Sequence, residues 1–135
     1  MLNVAHIFGI SSLFGAVLAL DLRLLGIWRR VPVEALARPV IPIATAGFLL
    51  AVVSGVCMLT TNGTDYVGNP YLVVKFMAIG AGVINAAAIN LLPAWRVRNA
   101  GPRSVAAERQ LAAAGGVSLV CWVTAITAGR MIGYW

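Results

Sequence analysis

Acidic side chains are scarce in this chain: four Asp and Glu among 135 residues, against ten Lys and Arg and a single histidine. Charged positions make up 10%, well short of the roughly 25% typical of a soluble domain, while 61% are hydrophobic. So little charge cannot coat a water-facing globule, and a soluble fold is excluded. The chain also lacks a paired-carboxylate site, a phosphate-cradling glycine loop, and a nucleophile beside a base. Catalysis of the soluble-enzyme kind is therefore not expected. Cys57 and Cys121 fall inside apolar segments without CxxC or zinc-like spacing, and read as small buried hydrophobes. A net charge of +6 would point to nucleic acid in a soluble protein. Here the arginines sit between apolar runs, where they act as topology signals, and no nucleic-acid partner is expected.

What the sequence does hold is four apolar runs. The first, about residues 4–27, is long enough at about 1.5 Å per residue to cross a hydrocarbon core of roughly 30 Å. No Lys or Arg precedes it, and it ends in LRLLGIWRR rather than a small-residue cleavage site, so it reads as a retained helix and not a signal peptide. Further helices are expected at about 40–60, 70–92 and 110–132. Pro42 is tolerated in the first turn of the second, where its missing N–H would be unpaired anyway. Asn69 and Pro70 read as N-cap and first residue of the third. Pro93 and Trp95 close the third helix, Gly101-Pro102 breaks the loop after it, and Trp28, Tyr134 and Trp135 read as interfacial aromatics. Residues 1–135 thus form a single all-α domain, a four-transmembrane-helix up-down bundle embedded in a lipid bilayer.

Helical spacing supplies the expected contacts. In the first helix His6, Gly9, Leu13, Ala16 and Leu20 share one stripe, with a small-residue ridge of Ser11, Gly15 and Ala19 beside it. Similar ridges are Gly47, Ala51, Gly55 in the second helix and Ala125, Gly129, Gly133 in the fourth. Such ridges allow close helix approach. The third helix aligns Lys75, Ala78, Gly82, Asn85 and Ile89 on a small, polar face that belongs inside the bundle.

Loop charge sets the orientation. Arg29, Arg30 and Arg38 fall in the first connection and Arg96, Arg98, Arg103 and Arg109 in the third, with none in residues 61–69. The positive-inside rule places both termini outside. His6, Lys75 and Arg130 then lie a turn or so below the outer surface on three helices. A neutral imidazole can ligate haem iron, and two cations at that depth could meet haem propionates; Asp65 is the outer carboxylate that could pair with them instead. Cys57, Met58, Met77 and Met131 add soft ligands near His6 and open a copper alternative. Asp21, near the other end, has Arg29 or Arg96 as candidate partners, or a proton relay with Asn85 and Asn90.

The stretches AHIFGISSLFGAVLALDLRLLG and NPYLVVKFMAIGAGVINA resemble a family of small four-helix bacterial membrane proteins of unknown function. An early histidine in the first helix and an early lysine in the third are also similar to the four-helix protoporphyrinogen oxidase of the bacterial haem pathway. Both look like distant relatives of the copper-resistance D membrane superfamily. The resemblance implies a bacterial inner-membrane location and a b-type haem associated with His6 and Lys75. Two functions are carried forward: a haem-carrying electron-transfer unit with His6 as metal ligand, or a cofactor-free accessory subunit. The second packs its small-residue ridges in a homo-oligomer or a larger membrane complex.

Overall fold

The structure is a computed structural model that describes residues 1–96 and 104–134. Arg98, the Gly101-Pro102 break, Arg103 and Trp135 lie outside the described residues. The order of elements is α1 (Leu2–Leu25), α2 (Val33–Asn62), a 3₁₀ turn (Gly63–Tyr66), α3 (Pro70–Ile89), a short α4 (Pro93–Arg96) and α5 (Val105–Ile132), with no strand among the described residues. The four long helices are each long and apolar enough to cross a membrane. Their outward faces carry Leu49, Val53, Phe76, Met77, Ile84 and Val120 exposed, the surface a lipid-solvated bundle requires. This is a multi-pass membrane protein.

α2 begins seven residues before the expected Val40. Val33, Ala37 and Val40 are all buried, and that four-then-three spacing carries the helix back across the supposed loop. Pro39 and Pro42 therefore lie inside α2 rather than at its start, and both are exposed. Glu34 and Arg38 become an i,i+4 ion pair on the helix at 3.4 Å. α5 likewise starts at Val105, not Gln110, because the Ser104 side chain caps it by accepting from the Ala107 N–H. At the head of α3 the expected cap is present: Asn69 Oδ1 accepts from the Tyr71 N–H at 2.9 Å.

α1 stops at Gly26, whose φ of 111° is left-handed, and the Ile27 N–H returns to the Leu22 carbonyl. This is the glycine-terminated cap that turns a chain sharply, and it aims α2 back along α1. Trp28 follows, exposed, with φ 55°, an uncommon conformation for a bulky residue.

Helix neighbours run in the order α2, α1, α5, α3. Between α1 and α2 the backbones almost touch: a Cβ on Gly47 would lie 2.7 Å from the Leu13 nitrogen and 2.8 Å from the Gly9 carbonyl oxygen. The contacting face of α1 is the stripe of Gly9, Leu13 and Ala16, all buried. The expected Ser11, Gly15, Ala19 ridge is not a contact, for Ser11 and Gly15 are exposed and nothing approaches a Cβ on Gly15 within 4 Å.

α3 and α5 pair through Gly82 against the Trp122 indole, and through Asn85, which donates to the Ala114 carbonyl at 2.9 Å. Phe48 meets Trp122 edge-on, with ring centroids 6.2 Å apart, tying α2 to α5 at mid-height. Of the ridge expected on α5, Ala125 is buried and Gly129 contacts α3, whereas Gly133 caps the helix and is exposed. At the arginine-bearing end Leu24, Val33, Ala37, Trp95 and Leu111 form an apolar cluster. Trp95 is 5% exposed there; it is a core residue of α4, and α3 closes earlier, at Ile89.

Candidate functional site

α2 and α3 are consecutive, yet they do not pack along their lengths. The bundle is closed at mid-height by Phe48 and Trp122 and at the arginine end by the apolar cluster. α2 and α3 thus leave a seam between them, while α1 and α5 pack on each other.

His6 approaches this seam from α1. Its Nδ1 lies 2.8 Å from the Ala51 carbonyl oxygen and 3.1 Å from Ser54 Oγ. A carbonyl oxygen can accept but not donate, so Nδ1 carries the proton. Ser54 agrees, since its hydroxyl donates to the Leu50 carbonyl at 2.6 Å and offers the imidazole a lone pair. The neutral ring therefore keeps its free lone pair on Nε2. Gly55 makes room, because a Cβ there would sit 3.0 Å from His6 Cε1. Ser54, 2% exposed, escaped the reading of the sequence. Its sign was available, for Ser54 shares a helical face with Gly47 and Ala51.

Lys75 enters from α3. Its stem and ammonium lie across Gly129, with Cε, Cδ and Nζ 3.5 to 3.6 Å from where a Cβ would be. Lys75 makes no hydrogen bond or ion pair with any described residue, and Asp65 pairs with neither Lys75 nor Arg130. His6 thus packs on α2 and Lys75 on α5, and no described hydrogen bond or ion pair links the two. Arg130 is not joined to them: its Nη2 donates to the Tyr134 hydroxyl at 2.9 Å, and its guanidinium stacks 5.0 Å from that ring's centroid. The i,i+4 spacing of Arg130 and Tyr134 on one helix face was the signal for that pairing.

Met77 and Met131 are exposed, and among the described residues no three His, Cys, Asp or Glu gather as a metal site. Asp21 also departs from expectation. It is 4% exposed and makes no ion pair with any described residue; Arg29 donates to Gly26 and Arg96 to Asn90. Its carboxylate faces Ser118 of α5, with Oδ2 lacking a hydrogen-bond partner. Asn90 donates to Ala86 of its own helix and Asn85 to α5, so neither relays to Asp21.

Compared with protein-family models, curated proteins and solved structures, the chain matches none.

Proposed function

We propose that this chain is a b-type haem-binding electron-transfer unit of the bacterial inner membrane, with both termini outside and His6 as axial ligand. The observation that carries the reading is the hydrogen bond from His6 Nδ1 to the Ala51 carbonyl. A backbone acceptor on one imidazole nitrogen fixes tautomer and ring orientation and leaves the other as ligand, the outer-shell arrangement typical of metal-binding histidines. Gly55 clears space beside the ring, and the unpacked α2–α3 seam supplies an approach. Lys75, a part-buried cation with no carboxylate partner among the described residues, suits a propionate. Arg130 is a reserve cation, held by Tyr134 on the exposed face. Bound haem would supply one-electron chemistry; the chain's own residues orient the ligand, exclude water and balance charge.

The test is spectroscopic. Protein purified from haem-supplied cells should show a Soret band that His6→Ala abolishes and Lys75→Gln weakens. A wild-type protein without the band, or a mutant that keeps it, would overturn the assignment. A second reading rests on the same seam: a helix of another subunit, or of a second copy, could fill the space between α2 and α3, making the chain a cofactor-free accessory subunit. That reading expects no Soret band and a stable complex larger than one chain.

A further inference from the structure

A second recess lies at the opposite end of the bundle. It is an open groove of about 320 Å³ between the end of α1, the start of α2 and the start of α5. Its floor includes Leu24, Val33 and Leu111, all buried. Its rim is ionic, with Arg23, Arg29 and Arg109 against Glu108, three positive charges and one negative for a surplus of two.

The rim is built rather than incidental. Arg23 spans the α1–α2 turn, donating from Nε to the Val31 carbonyl at 2.6 Å and from Nη2 toward the Arg29 carbonyl at 3.4 Å. Arg29 donates from Nε to the Gly26 carbonyl at 3.3 Å, which leaves its other guanidinium donors without a partner among the described residues. Arg109 makes no hydrogen bond or ion pair with any described residue. Beside these charges Leu25 and Val105 line the groove while exposed. A free anion has no use for exposed aliphatic walls, whereas a phospholipid presents a phosphate and the start of an acyl chain together. Basic recesses between helices at a membrane surface take acidic headgroups for this reason.

We infer that this groove is a binding site for the headgroup and proximal acyl carbons of an anionic phospholipid. Arg29 and Arg109 receive the phosphate, and Leu25 and Val105 flank the chains. The inference is independent of any haem at the other end. It is tested on the purified full chain in neutral detergent by native mass spectrometry and thermal shift, with phosphatidylglycerol, phosphatidylcholine or inorganic phosphate added at matched concentration. Phosphatidylglycerol should bind and raise the melting temperature, with little effect from the other two. At about 1 kcal/mol per basic residue near an acidic surface, Arg29→Gln with Arg109→Gln should weaken phosphatidylglycerol binding roughly thirty-fold. Arg109→Gln alone breaks no bond to a described residue and should give several-fold. Arg30→Gln removes the same charge outside the groove and should change little. Equal binding of the two lipids, stabilisation by inorganic phosphate alone equal to that by phosphatidylglycerol, or equal losses in Arg30→Gln and Arg109→Gln would each overturn the site.

Discussion

Replacing Gly47 by alanine tests the α1–α2 contact on which the placement of His6 depends. The added methyl would meet the Leu13 nitrogen at 2.7 Å and the Gly9 carbonyl oxygen at 2.8 Å, against an optimum of about 3.5 Å or more for non-bonded carbon contacts. Both obstructing atoms are backbone, so no rotamer change relieves the clash and the helices must part by on the order of half an ångström. A gap of that size forfeits roughly a quarter of each dispersion well or more, all along the face shared by Gly9, Leu13, Ala16, Gly47 and Ala51. Lipid offers no hydrophobic term to offset the loss. Overpacking of this kind costs about 1–3 kcal/mol, and the rigid surroundings place Gly47→Ala near the top of that range. Thermal unfolding in mild detergent, followed by loss of the monodisperse elution peak, gives the readout. Gly15→Ala is the internal control, because nothing lies within 4 Å of its added methyl. Equal melting temperatures for the two variants would refute the close approach.

Further expectations follow from other contacts. Gly82→Leu drives a branched side chain into the Trp122 indole, which already stands 3.1 Å from a Cβ at that position; its melting temperature should fall below wild type, and no change would mean that this face of α3 meets lipid. Asp21→Asn should leave the protein as stable as wild type or more so, because it removes an unpaired carboxylate from a site that is 4% exposed without changing its shape; a loss of about 2 kcal/mol or more would reveal a cationic partner. Asp65→Cys should react with an impermeant maleimide from outside intact cells and Arg30→Cys only after lysis, and the reverse pattern would invert the topology.

Helix number and most contact faces were legible because lipid imposes a strong pattern: long apolar runs, small residues every fourth position, arginines between runs. The Gly47, Ala51, Gly55 ridge and the Lys75, Ala78, Gly82 face were readable from spacing alone. The helix starts were not, since prolines at 39 and 42 and charges at 34 and 38 resemble a loop until Val33 and Ala37 find the pocket formed by Leu24, Trp95 and Leu111. The Ser11 ridge misled for a related reason: size complementarity with the partner, not small size by itself, selects a face. At the candidate site, depth alone placed His6 and Lys75 on neighbouring levels. Depth says nothing about azimuth, which is how Arg130 came to be grouped with them although its side chain turns to Tyr134. The Ser54 hydroxyl and Ala51 carbonyl at His6 are partners on another helix, and their identity depends on a register that a single sequence does not display.

The order of helix neighbours has a consequence for biogenesis. α1 with α2, and α3 with α5, are each antiparallel pairs complete in themselves, and the seam between the pairs is carried chiefly by α1 against α5. Each pair can therefore leave the insertion machinery as a finished hairpin, with lateral docking of the two as a separate, later event, in keeping with two-stage assembly in a bilayer. The loop at 61–69 then serves as a tether that raises local concentration. A chain cut within it and supplied as two co-expressed fragments would retain everything needed to rejoin.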